Sequence, residues 1–148
     1  MKKKIKLLLL SSVIDGGAGK AVLKIYRLLK KSDIIEPKIL ILNYTDIDKK
    51  IKNIDKSDIF IINNIFLKKL ILKLKIISNK FIINIFGKKS IYFQNIDLFN
   101  SNIVNKINKS DIDVVQLNWI NNLISLKEIS KISKPLIWRF SDMWPFIG

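Results

Sequence analysis

The chain of 148 residues has no cysteine and no histidine. Without cysteine there is neither a disulfide framework nor a thiolate metal centre, and a reducing cytoplasm is compatible with the sequence. Without histidine, imidazole is unavailable as base or ligand. Any chemistry then falls to carboxylates, hydroxyls, amides and the backbone, and a metal site would need oxygen ligands. Arginine is scarce: Arg27 and Arg139 are the only two. Long apolar runs are missing as well, because Lys or Asn interrupts each one before the roughly 18 residues that a membrane span takes. The length suits one domain, which buries roughly two-thirds of its unfolded surface.

Lysine, isoleucine and asparagine are what the chain has in plenty. Lys and Arg number 27 against 12 Asp and Glu, a formal charge of +15. Such a balance suits nucleic acid or an anionic membrane surface. The same three residues are those an AT-rich genome overproduces, so codon bias is the competing explanation. The lysines are spread over every segment with no arginine cluster, which leaves direct base readout little to work with and disfavours nucleic acid as a partner. The opening KKKIKLLLLSSVI has the outline of a signal peptide. The next residues, DGGAGKA and an amphipathic pattern, fit the first buried strand of a parallel sheet better.

Strand and helix patterns alternate along the chain. Ile5–Val13 reads as a buried strand, Asp15–Gly19 as a tight turn, and Lys20–Lys31 as a helix whose Val22, Ile25, Tyr26 and Leu29 share one face. Pro37 precedes a second strand, Lys38–Leu42, reached by a right-handed crossover. Asp58–Asn63 has strand character. Ile65–Ile77 is a predicted helix with an apolar stripe of Leu67, Leu70, Ile71, Leu74 and Ile77, and with Lys68, Lys69, Lys73 and Lys75 on its other side. Lys80–Ile85 has no clear reading, Ser90–Phe93 is a short strand or an extended loop, and Asn100–Asn108 is a polar helix. The pattern then sharpens into strand Asp113–Leu117, helix Ser125–Ile132 with Glu128 in its first turn, and strand Pro135–Phe140. The expected fold is α/β, a Rossmann-like parallel sheet flanked by helices.

Three segments carry candidate chemistry. In the first, Gly16, Gly17, Gly19 and Lys20 follow a strand and open a helix, where backbone N–H groups can face an anion. The spacing is not that of a P-loop, which wants glycine at Ile14 and a hydroxyl at Ala21. Val22 likewise stands where the third glycine of a dinucleotide fingerprint belongs. A glycine turn that only lets the helix pack close to the sheet is the alternative. In the second segment, Gln116, Asn118, Trp119, Asn121 and Asn122 gather at a strand end. Amides donate and accept hydrogen bonds and an indole face stacks on sugar C–H surfaces, which is carbohydrate-binding chemistry. A helix N-cap region with a core tryptophan is the alternative there. The third, Trp138–Gly148, places four aromatics, a proline and Asp142 at a strand exit. Asp142 either orients an acceptor hydroxyl or caps the next helix.

Taken together, GGAGKAVLKIYRLLKK at Gly16–Lys31, the QLNWINN strand end and the KPLIWRFSDMWPFIG block resemble the N-terminal half of a family 4 glycosyltransferase of the GT-B type. The likeness spans nearly the whole chain but is slight from about Tyr44 to Lys89. It implies a transferase moving a sugar from a nucleotide-sugar donor to a polysaccharide, glycoconjugate or lipid-linked acceptor. The first glycine loop, with Gly16, Gly17, Gly19 and Lys20, would lie in the interdomain cleft near the donor phosphates. Gln116, Asn118, Trp119, Asn121 and Trp144 would contact the acceptor, and Asp142 with Ser141 would be the catalytic candidates. Asn118 and Ser141 each stand where the family commonly has histidine. Retaining GT-B enzymes need no protein base, because the leaving phosphate can take the acceptor proton.

The resemblance further implies no cofactor besides the donor co-substrate, a cytoplasmic setting, and a second Rossmann-like domain outside these residues. That domain would hold the nucleotide-sugar with its paired glutamates, so residues 1–148 alone would not transfer sugar. Peripheral contact with an anionic membrane stays open, with Lys68, Lys69, Lys73 and Lys75 as its expected face. The alternatives from other classes are a basic α/β module binding nucleic acid or membrane without catalysis, and a domain with a structural role only.

Overall fold

Leu7, Leu8, Leu9 and Leu10 form an unbroken apolar run, the pattern of a strand covered on both faces. In the computed structural model they lie buried at the centre of strand β1 (Ile5–Ser11). The structure describes residues 3–13, 16–41, 54–60, 74, 77, 102–120 and 123–140. Helix α1 (Gly16–Leu29) follows and leads to β2 (Ile35–Ile41), and a 3-10 turn spans Lys56–Asp58. Helix α2 (Ile103–Lys109), strand β3 (Val114–Leu117), helix α3 (Leu126–Ile129) and strand β4 (Leu136–Trp138) complete the described elements.

The four strands form one all-parallel sheet in the order β2-β1-β3-β4, an α/β fold of Rossmann-like character. Beyond β2, Ile59 makes a parallel bridge to Ile39, and the Phe60 N–H donates to the Ile39 carbonyl at 2.8 Å. The chain therefore builds outward from β1 in both directions. In open α/β sheets a reversal of this kind is where the ligand crevice forms, here at the carboxyl ends of β1 and β3.

Alternation along β1 divides the core in two. Leu7 and Leu9 pack with Val22, Leu23 and Tyr26 of α1 and with Ile39 and Ile41 of β2. Leu8 and Leu10 pack on the other face with Ile103, Val104 and Ile107 of α2, Leu117 of β3 and Ile129 of α3. On the outer strand β4, Leu136 and Ile137 are exposed.

Several element boundaries differ from expectation, among them Asp58, which closes the 3-10 turn instead of opening a strand, and three of the differences have identifiable reasons. Helix α1 starts at Gly16, so the expected glycine turn is the first turn of the helix. Gly16 takes φ +69°, a left-handed conformation that glycine adopts without strain, and this leaves the following residues free to wind on. Strand β2 runs through Pro37 instead of starting after it. The Ile5 N–H donates to the Ile34 carbonyl at 2.8 Å, and by alternation the β2 groups bonded to β1 are those of Glu36 and Lys38. The missing Pro37 N–H thus falls on the outward side of β2, where it costs no ladder bond.

Helix α3, expected to reach Ile132, is one four-residue turn held by a capping box. The Ser125 Oγ accepts from the Glu128 N–H and the Glu128 carboxylate accepts from the Ser125 N–H, both at 3.1 Å. Ser125→Ala should lower stability by about 1 kcal/mol, read as a fall of roughly 2–4 °C in a thermal melt.

Of the predicted helix Ile65–Ile77, Leu74 and Ile77 are described. Both are helical, and at 51% and 62% exposure neither packs in the core. The remainder of that helix with its four lysines, Lys80–Ile85 and Ser90–Phe93 lie outside the described residues.

Candidate functional site

The ends of β1 and β3 are fastened to each other at the crevice. Past the last β1–β3 pair, Leu10 with Leu117, the Asn118 N–H donates to the Leu10 carbonyl at 3.1 Å. The Ser12 N–H and Oγ both donate to the Trp119 carbonyl, at 2.6 and 2.8 Å. Ser11 is fully buried and its Oγ donates to the Val13 carbonyl at 2.8 Å. Sequence patterns alone do not mark these two serines. Their signal is a hydroxyl pair closing an unbroken leucine run, at the point where strand ladder bonds give out and backbone groups need side-chain partners.

Asn118 is buried and its amide is fully engaged. Nδ2 donates to the carbonyls of Leu10 at 3.2 Å and Gln116 at 3.3 Å, while Oδ1 accepts from Gln116 Nε2 at 3.1 Å. Among the described residues this amide pair joins two strand ends. Trp119, the next residue, is half-buried. Trp119 and the glycine turn are therefore brought to adjoining strand ends.

Gly16 and Gly17 are exposed, and a Cβ built on either would meet nothing within 4 Å, so a side chain at either position would have room. No acidic residue occupies that turn, and Lys20 is exposed while Gly19 is buried. The orphan N–H groups of a helix start favour negative charge, which suits a phosphate or a carboxylate. Among the described residues no three acidic side chains gather to hold a metal ion. Asn121, Asn122, Ser141, Asp142 and Trp144 lie outside the described residues.

Comparison with protein-family models, with curated proteins and with solved structures gives no match. The fold stands on the geometry alone.

A second polar centre, unmarked by the sequence, lies at the C-terminal part of α1. Asp58 is buried; it accepts from the Tyr26 hydroxyl at 2.5 Å, pairs with Lys30 and has Lys38 Nζ at 3.5 Å. Burial pushes the Asp58 carboxyl up, but the hydrogen bonds from Lys30 and Tyr26 and the charges of Lys30 and Lys38 outweigh it and hold the group below its ordinary value. Burial and the bond to Asp58 raise the Tyr26 hydroxyl well above the usual tyrosine range. Hydrogen bonds to Asp58 and Asp55 likewise raise Lys30. This centre ties α1, β2 and the 3-10 turn together.

Proposed function

We propose that this chain is the acceptor-side Rossmann-like half of a GT-B-type glycosyltransferase resembling family 4. Its acceptor would be a polysaccharide, glycoconjugate or lipid-linked sugar, with the nucleotide-sugar held mainly by a second domain. The supporting observation is the strand order. Reversal at β1 brings the Gly16–Lys20 turn and the Gln116–Trp119 strand end to adjoining positions, the place where open α/β sheets bind ligands.

In this reading the exposed part of Trp119 stacks on the acceptor sugar, and the start of α1 faces the donor phosphates. Asp142 or the leaving phosphate takes the acceptor proton, since the chain has no imidazole. The protein acts in the cytoplasm, and the charge of +15 favours the inner face of an anionic membrane. No helix among the described residues is long and apolar enough to cross a membrane.

Titration of the chain with neutral and acidic oligosaccharides and with nucleotide-sugars, followed by tryptophan fluorescence, tests the reading. The expected result is a saccharide-dependent change that Trp119→Ala abolishes, together with donor binding weaker than micromolar. Micromolar donor binding without any saccharide response would overturn it. Saccharide silence combined with steeply salt-dependent binding to RNA or anionic vesicles would favour the basic module instead.

A further inference from the structure

Arg139 stands one residue past β4, where its N–H donates to the Leu117 carbonyl at 2.8 Å and continues the β3–β4 ladder. Trp138 packs against the core cluster on the α2 side and stacks with Phe140, ring centroids 5.2 Å apart at 27°. Trp138 and Phe140 therefore share a face, and alternation puts Arg139 on the opposite one, the side that carries α1. Continuing the registers Leu10–Leu117 and Leu117–Trp138 by one residue sets Ser11, Asn118 and Arg139 in a row across the sheet at the crevice end.

Among the described residues the Arg139 Nη1 is buried without a hydrogen-bond partner, and Arg139 forms no ion pair. Its row-mates do not supply the missing acceptor. Ser11 Oγ is turned to Val13, and Asn118 Oδ1 already accepts from Gln116. A guanidinium nitrogen enclosed without an acceptor is costly, and the group has a planar fork suited to two oxygens of one anion.

We propose that Arg139 recognises an oxyanion, a phosphate or a carboxylate, carried by the molecule that enters this crevice. The assignment of that anion to the acceptor rests on the glycosyltransferase reading; the anion site itself does not. In that reading the acceptor is acidic, a sugar phosphate or a uronic acid, and Arg139 selects it over neutral sugars.

The test compares the full chain with Arg139→Gln and Arg139→Lys, using inorganic phosphate, glucuronate and neutral glucose as probes, read by calorimetric titration and by thermal melting. Phosphate, glucuronate or both should bind and raise the melting temperature, and the responding probe identifies the source of the oxyanion. Glucose should bind more weakly. Arg139→Gln should lose roughly tenfold or more in oxyanion affinity, and Arg139→Lys should retain part of it, as expected when a bidentate fork becomes a point charge. Without ligand, Arg139→Gln should melt no lower than the parent, because it removes an unmatched buried donor.

Equal oxyanion binding by parent and Arg139→Gln, or no binding by the parent, overturns the proposal. If Arg139→Gln does not fold, Arg139→Lys decides by the same comparison. Oxyanion binding that depends on Arg139, with no saccharide response at Trp119, sinks the glycosyltransferase reading and leaves this site standing. The reverse pattern sinks this site alone.

Discussion

Asp58→Ala should cost about 2–4 kcal/mol of stability, the largest loss expected from any single polar side chain among the described residues. The carboxylate is only 3% exposed and serves three partners at once, Tyr26, Lys30 and Lys38. Removing it strands the Tyr26 hydroxyl in the core, where Tyr26 is 2% exposed, and opens a small cavity beside it. The two lysines soften the loss. Lys30 and Lys38 retain 43% and 23% side-chain exposure and can turn to water, which keeps the loss at or below about 4 kcal/mol. A thermal melt should fall by roughly 4–16 °C. Asp55→Ala is the control. Asp55 also pairs with Lys30, at 3.0 Å, but is 67% exposed, so its removal should cost about 0–1 kcal/mol. Equal losses from the two variants would mean that Asp58 acts as an ordinary surface charge.

The same centre sets the pH limits of stability. Asp58 is held below its ordinary value of 3.8, so its contribution is complete above that value and is lost as pH falls through the lowered folded value. Tyr26 moves the other way. Its folded value is raised above 10.0, so its contribution is complete below pH 10 and is lost as pH rises beyond it. Lys30 is raised from 10.5 and adds to the alkaline side in the same sense. Urea unfolding across pH should show a plateau between these limits, with an acid limb that flattens in Asp58→Ala.

This centre also marks the limit of what the sequence makes legible. Tyr26 is legible as a core position of α1 from its spacing with Val22, Ile25 and Leu29, and the structure buries it. Asp58 reads as the first residue of a strand, and nothing local links it to a hydroxyl 32 positions earlier. Long-range pairing of this kind depends on which strands become neighbours, and hydrophobic periodicity does not encode that. Apolar patterning does carry the elements themselves: apolar runs mark β1, β3 and the strand after Pro135, and the helical spacing of Val22, Ile25, Tyr26 and Leu29 marks α1. At the crevice, the glycine turn and the Gln116–Trp119 strand end stand out in the sequence because their residue types are unusual for a strand exit. The Ser12 clamp on Trp119 and the enclosed guanidinium of Arg139 do not, since their meaning comes from the residues brought opposite them.

Asn118 separates a structural role from a binding role most sharply. The sequence suggests an acceptor pocket for it, whereas its amide spends its visible hydrogen bonds on the ends of β1 and β3. In Asn118→Ala the Leu10 carbonyl keeps the backbone N–H at 3.1 Å, but Gln116 Nε2 loses its acceptor, and Gln116 is only 9% exposed. One buried donor without a partner and a vacated amide volume together predict a loss of about 2–3 kcal/mol. Asn118→Asp keeps an oxygen for Gln116 but turns a carboxylate oxygen toward the two carbonyls that Nδ2 now serves. It should lose a similar amount at neutral pH and recover part of it in acid, where protonation restores a donor. If Asn118 only fastens the strands, saccharide affinity per folded molecule should stay unchanged in both variants while their melting temperatures fall. If it also touches the acceptor, affinity should fall at temperatures where both variants remain fully folded. Stability that stays within about 0.5 kcal/mol of the parent, the range of an ordinary surface substitution, would show that the strand-end amide pair is not holding β1 to β3.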